Sequence, residues 1–301
     1  MPYPTEPLKE HPSAYFVQDR ENKEEIARLE TQDKMLNIGM GELFPDGTEP
    51  RRLRRVLDVG CGTGGWLMNV AKQYPRIENG FGVDISNKMT EYARAQAQAQ
   101  HLGDRVQFRT MDALRILNFP PGYFDLVNQR LGVSWLRRWE WNKILLEYER
   151  VARTDGIIRI TECDIIIESN SPALTVLCEI ALQAAHNSGR LFDPCSDGVT
   201  RHLHRLLIQH GFEGVQTQIH RLTFVPGTEM GQYFSEDIRT AFRVALPFFQ
   251  KWTNVRSDYE EIYQRALRDL QQPSFEATWQ LLTAYGTRPE YVGHLLMSRL
   301  R

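Results

Sequence analysis

Cysteine is scarce in this chain. Only Cys61, Cys163, Cys178 and Cys195 occur, with no C-x-x-C pair and no histidine at ligand spacing from any of them. That argues against a structural zinc and against a disulfide framework, so no metal is expected. A surplus of charge is missing as well, the formal net charge being −2. Nucleic acids and anionic membranes are usually met by a basic surplus, and neither is expected as a partner. No apolar run reaches bilayer-spanning length, and the opening MPYPTEPLKEHPSAY holds nothing like the apolar core of a secretory leader. A reduced, cytoplasmic chain is the expectation, with homodimerisation left open. What remains is ordinary globular material, 42% hydrophobic and 25% charged over 301 residues. That is enough to bury a large α/β core.

Periodicity divides the chain into segments. Residues 1–50 read as a proline-rich arm followed by a cap helix. In that helix Asn22 and Glu25 fit a capping box, and Ile26, Leu29, Leu36 and Met40 share one face. The basic run RRLRR then reads as the solvated approach to a strand. Residues 51–165 alternate strand and helix: RVLDV, GFGVDI, RVQFRTMDA, FDLVNQRL and GIIRITECDIII are strands. GWLMNVAKQY, NKMTEYARAQAQAQHLG and WNKILLEYERVART are the helices between them, the last stopped at Thr154-Asp155-Gly156. Residues 166–210 read as helical cap, 211–228 as a sixth core strand and 229–272 as a helical lid insertion. In 273–301 the stretch EATWQLLTAYGTRP resembles a last strand returning to the sheet, followed by a tail. The expected fold is α/β, a doubly wound, Rossmann-like, mostly parallel seven-stranded sheet with helical cap insertions.

The most informative stretch is VLDVGCGTGGW, residues 56–66. Gly60, Gly62 and Gly65 spell G-x-G-x-x-G, and Asp84 follows at the distance of a ribose-binding acid, which on its own admits a nicotinamide dehydrogenase. Two further acids argue against that reading. Asp58 stands on the strand just before the turn, where a dehydrogenase carries an apolar residue; a carboxylate there suits an ammonium group better than a pyrophosphate. Asp112, at the exit of the third strand, can accept a hydrogen bond from an adenine amino group. Three acids at neighbouring strand ends lie where open α/β sheets bind ligands.

VLDVGCGTGGW, GVDIS, MDA, FDLVNQRLGVSWL and the strand after RVARTDG resemble the successive motifs of class I S-adenosylmethionine-dependent methyltransferases, strongly over 56–160 and weakly over 277–288. The resemblance implies S-adenosylmethionine as cofactor and a small-molecule methyl acceptor. It implies that Asp58, Gly60, Cys61, Gly62, Thr63 and Gly64 hold the methionine part, and that Asp84 takes the ribose. Ile85, Met89, Met111, Asp112 and Ala113 would surround the adenine, and Asn128 and Gln129 would offer oxygen to the sulfonium end. The N-terminal segment resembles the cap of small-molecule members, among them natural-product methyltransferases and fungal secondary-metabolism regulators. Tyr15, Gln18 and Asp19 are its candidates for closing over the cofactor. A general base is needed only if the acceptor must lose a proton; Glu162 is the first candidate, then Asp164 and His186.

The helical pieces 15–40, 171–210 and 229–272 would crowd the carboxyl edge of the sheet. They carry Phe192, Phe234, Phe242, Phe248, Phe249 and Trp252, a lid suited to a small, largely apolar acceptor. A protein that binds the cofactor without turning it over remains the alternative, and the dehydrogenase is the weaker rival.

Overall fold

The computed structural model describes residues 15–16, 23–41, 43–44 and 48–290. Asn22, Gln18 and Asp19 lie outside the described residues. The elements run α1 (Lys23–Met40), β1 (Arg55–Val59), α2 (Gly65–Gln73), β2 (Asn79–Asp84), α3 (Asn87–Ala99), β3 (Val106–Thr110), β4 (Phe124–Arg130), α4 (Trp141–Val151) and β5 (Ala152–Cys163). They continue with β6 (Glu168–Ser169), α5 (Pro172–Asn187), α6 (Leu203–Gln209), β7 (Glu213–Phe224), α7 (Glu229–Val244), α8 (Leu246–Trp252), α9 (Tyr259–Asp269) and β8 (Ala277–Thr287). Among these residues no helix is long and apolar enough to cross a membrane.

The sheet order is β3-β2-β1-β4-β5-β8-β6, with β7 on the outer edge of β8. β1 to β5 pair in parallel, while β8 is antiparallel to β5, β6 and β7. The sheet therefore holds eight strands rather than seven. The extra one is the two-residue β6, too short to leave a period-two signature.

Alternation along β1 and β4 sends odd and even positions to opposite cores. Val56 and Leu126 pack on the α2 and α3 side with Leu67, Val70 and Ala93. Leu57, Val59 and Val127 pack on the other side with Ile144, Tyr148 and the cap. The strand-to-helix turn is tight enough to need glycine: Gly64 sits at φ +79°, and a Cβ there would stand 2.5 Å from Cζ of Phe108.

Local chemistry sets the helix starts. Ser86, Ser171 and Thr228 each accept a backbone N–H of the first turn through the side-chain hydroxyl. The expected capping box of α1 involves Asn22, which lies outside the described residues, but the side chain of its other member is placed. Glu25 is fully buried, and its carboxylate is taken by Arg28 and Tyr15. The fourth helix also ends sooner than the sequence suggests, at Val151. Asp155, at φ +57°, lies in an irregular start of β5, held by Arg288: its N–H donates to the Arg288 carbonyl, and the Arg288 N–H donates to Gly156.

Candidate active site

The carboxyl ends of β1, β2, β3 and β5 open onto one cavity of about 650 Å³, roofed by α1, α7 and α8. The glycine turn forms its floor. The N–H groups of Gly60 and Cys61 donate to the Val83 carbonyl at 2.9 and 3.0 Å, which pins the turn against β2. Gly62 N–H donates to Asp84 Oδ2 at 3.1 Å and Ser86 N–H to Asp84 Oδ1 at 2.8 Å. One carboxylate thus joins the turn to the start of α3, and its oxygens keep capacity for hydroxyl donors. Gly60 sits at φ +68°, where a side chain is strained, and a Cβ there would stand 3.1 Å from Nε1 of Trp135, close enough that the indole would have to shift by a few tenths of an ångström.

Asp58, Gly60, Cys61, Gly62, Thr63, Asp84, Ile85, Met89, Met111, Asp112, Ala113 and Tyr15 all line the cavity. Asp112 is partly occupied: Oδ1 accepts from Leu114 N–H at 2.9 Å and Oδ2 pairs with Arg115 at 3.4 Å. Asp58 is 4% exposed and receives a hydrogen bond from Asn128 Nδ2 at 2.7 Å. Burial pushes its carboxyl up to about 7, against the pull of Arg130 and Asn128.

Gly64, Asn128, Gln129, Glu162 and His186 do not line the cavity. Gly64 faces Phe108 in the helix–sheet interface. Asn128 pairs with Asp58 and with Arg159 across the parallel ladder, and its side chain bridges the two on the α2 face. Gln129, one residue on, points to the α4 face. There it donates to Glu162 at 3.0 Å and accepts from Tyr148 Oη at 2.5 Å. Both side-chain amides are thus buried and engaged beneath the site and do not reach the cavity.

Glu162 is corrected likewise. It is 0% exposed, and its carboxylate accepts from Gln129 Nε2 and from Gly132 and Val133 N–H at 2.7 and 2.9 Å. Burial pushes it up to about 7 while those donors pull it down. A group so enclosed does not line the cavity, which argues for a prop rather than a base. His186 sits half-buried on α5, with Nδ1 lacking a hydrogen-bond partner among the described residues. Tyr15 reaches the cavity, but its hydroxyl donates to Glu25 at 2.6 Å, and burial with Glu25 nearby raises its pKa well above the usual tyrosine value. That is the chemistry of a packing residue, not of a base.

Residues that sequence reasoning did not assign to the site also form its walls, among them Leu29, Gln32, Asp33 and Arg130. Asp33 pairs with Arg130 and accepts from Thr63 Oγ1 at 3.3 Å, so α1 is clamped over the glycine turn. The signal was present, since Leu29, Asp33 and Leu36 fall on one helical stripe, and an acid on an apolar stripe asks for a partner. Of the expected lid aromatics, Phe242 and Phe249 line the cavity. Phe234 stacks on Phe224, Phe248 packs on Phe16, and Phe192 lies against His202.

Residues 56–156 match the family described as methyltransferase domain. Over 117 residues the chain is 38% identical to ajmaline N-methyltransferase from Rauvolfia serpentina, which covers 39% of this chain and 38% of that protein. It is 31% identical over 106 residues to demethylmenaquinone methyltransferase from Lactobacillus johnsonii, covering 35% of this chain and 42% of that one. The chain therefore spans less than half the length of these curated relatives. Among solved structures, the YcgJ protein from Bacillus subtilis aligns with 87% of this chain and 100% of its own, with a TM-score of 0.50 at 18% identity. That likeness is one of fold.

Proposed function

We propose that this chain, whose residues 56–156 belong to the methyltransferase-domain family, transfers a methyl group from S-adenosylmethionine to a small, largely apolar acceptor. One observation carries the reading: Asp58, Asp84 and Asp112 line a single cavity around a glycine turn that Asp84 itself holds in place. The residues fit the cofactor. Asp58 offers a buried carboxylate to an ammonium, Asp84 offers its oxygens to a pair of hydroxyls, and Met89 and Met111 offer apolar surface to a purine.

When bound, S-adenosylmethionine supplies an electrophilic methyl on a positively charged sulfur. The protein's part is to hold an acceptor in line and to exclude water. Ile238 and Phe242 of α7 and Phe249 of α8 close the cavity from the side opposite the glycine turn. Arg130 and Asp33 hold α1 down over Thr63.

The direct test is incubation with S-adenosylmethionine and a library of small acceptors, with S-adenosylhomocysteine and methylated product followed by mass spectrometry. Stoichiometric formation of both is expected. Tight binding of the cofactor with no product from any acceptor would support the non-catalytic binding protein instead.

Asp58 adds a pH signature. Burial pushes its carboxyl up to about 7 in the free protein, and only the ionised form offers an ammonium a full opposite charge. Binding below that pH must expel a proton, so cofactor affinity should rise with pH up to about 7 and level off above it. The slope below is about tenfold per pH unit, the limit for one coupled proton. Asp58→Asn should bind more weakly and show a flat profile between pH 6 and 8 by calorimetry.

A further inference from the structure

The part of the cavity away from the glycine turn combines apolar walls with uncompensated negative charge. Ile165 and Ile167 after β5, Ile238 and Phe242 of α7, and Phe249 of α8 make the apolar surface. Set among them are Asp164, Asp237 and Arg28. The guanidinium of Arg28 is already shared: Nε and Nη2 donate to Glu25 at 2.8 and 2.7 Å, and Nη1 to Asp237 at 2.8 Å. Two buried carboxylates thus divide one positive charge.

Among the described residues Asp164 has no cationic partner of this kind. Its Oδ1 accepts from the Thr200 hydroxyl at 2.7 Å and its Oδ2 from the Gln280 amide at 3.1 Å, both neutral donors. The charged groups that act on it most strongly among the described residues are Asp197 and Glu168, which repel its negative charge. The neighbouring Cys163 thiol, which also lines the cavity, is pushed up first by burial and then by Glu162, Asp164 and Asp237. Negative groups therefore converge at the exit of β5. Of the other cations of the wall, two are paired with carboxylates, and the other two, Arg137 and Lys143, belong to the segment around the start of α4 rather than to the exit of β5. Arg130 is on Asp33 and Arg115 on Asp112, while Arg137 lies over the exposed Trp139 ring and Lys143 is exposed near the start of α4.

A neutral or anionic acceptor would press its apolar body over Asp164 and strip water from a carboxylate that has no ion-pair partner among the described residues. An ammonium would instead gain a charge-assisted hydrogen bond there. We propose that the acceptor is a small amine with an apolar body, and that Asp164 anchors its nitrogen. This rests on the methyltransferase reading of the site. The docked ammonium gives one proton to Asp164, and the freed lone pair forms the new N–C bond. The S–C bond breaks with its electron pair left on sulfur. The positive charge lost from sulfur reappears on the methylated nitrogen, and the proton leaves from Asp164 to solvent.

Three probes of similar apolar shape separate the alternatives: 4-phenylpiperidine, 4-phenylcyclohexanol and 4-phenylcyclohexanecarboxylate. Each is titrated calorimetrically into protein saturated with S-adenosylhomocysteine at neutral pH, so that no turnover is involved. The amine should bind at least about tenfold more tightly than the alcohol, the fold-change of one contact of about 1.4 kcal/mol. Asp164→Asn should remove that preference, and Asp164→Glu should restore part of it, with S-adenosylhomocysteine affinity unchanged in both. Equal binding of amine and alcohol overturns the proposal, as does no binding of any probe. A preference for the carboxylate also overturns it, moving recognition to Arg137 and Lys143. So does an Asp164→Asn variant that loses S-adenosylmethionine affinity relative to S-adenosylhomocysteine, because the carboxylate would then serve the donor. If S-adenosylhomocysteine itself does not bind, it is the methyltransferase reading that fails.

Discussion

Replacing Asp84 by alanine should weaken S-adenosylhomocysteine binding by at least about 100-fold. The carboxylate has two tasks that a neutral side chain cannot share. It accepts from Gly62 and Ser86 N–H at 3.1 and 2.8 Å, which fixes the glycine turn relative to α3. On the proposed reading it also accepts from the hydroxyls of the ribose. Hydrogen bonds to a charged acceptor contribute about 1.5–3 kcal/mol each, so losing the ribose pair costs about 3–6 kcal/mol, which is 100-fold or more in Kd. Asp84→Asn keeps one acceptor oxygen without the charge and should fall between, at about tenfold. Calorimetry with S-adenosylhomocysteine measures both variants, and a thermal melt confirms that each is folded. Wild-type affinity in a folded Asp84→Ala variant would remove the ribose from this strand end.

Asp84 was legible because everything that defines it is local: an apolar strand, an acid at its end, and glycines about twenty residues before it. The same holds for Asp58 and Asp112, and for β1 to β5, whose short apolar runs alternate with helices of ordinary length. What the sequence hid depends on which face a residue takes. Asn128 and Gln129 are adjacent and polar at the end of β4, so both looked like contacts for the cofactor. The pleat sends one to the α2 face under Asp58 and the other to the α4 face beside Glu162. Pairings across long stretches of chain were hidden for a different reason. Arg28 meets Asp237 and Arg130 meets Asp33 only once α1 lies across α7 and the glycine turn. No periodicity in either segment names the partner. Glu25 is a further case: its carboxylate is paired with the buried Arg28 guanidinium three residues on, and a buried charge left unpaired is costly, but its spacing from Asn22 carries no sign of that burial.

Glu162 gives the second large effect, and its sign separates a prop from a base. Both carboxylate oxygens are used as acceptors, Oε1 by Gly132 N–H and Gln129 Nε2 and Oε2 by Val133 N–H. These amides belong to the turn after β4, which begins at Leu131 in a left-handed conformation, φ 53° and ψ 40°. A leucine there costs about 1–3 kcal/mol and persists only if its surroundings hold it. The Leu131 N–H donates to the Thr161 carbonyl, and the Ser134 carbonyl further along accepts from Phe16 N–H, so the same turn anchors Phe16 in the cavity wall. In Glu162→Gln the new NH2 must face an N–H whichever way the amide is turned. A buried unsatisfied donor costs about 1–3 kcal/mol, and the facing N–H loses its acceptor as well, so stability should fall by about 2–4 kcal/mol. The turn carries Val133, Ser134 and Trp135 in the cavity wall, and its loosening should raise the Kd for S-adenosylhomocysteine. A tenfold rise or more is expected, since about 1.4 kcal/mol of lost preorganisation suffices. Tyr148→Phe, which removes only the hydroxyl donated to Gln129, should lower stability by about 1 kcal/mol and leave that Kd within about twofold. A catalytic base at this position would behave in the opposite way: Glu162→Gln would bind S-adenosylhomocysteine as wild type does, melt at nearly the same temperature, and lose only kcat.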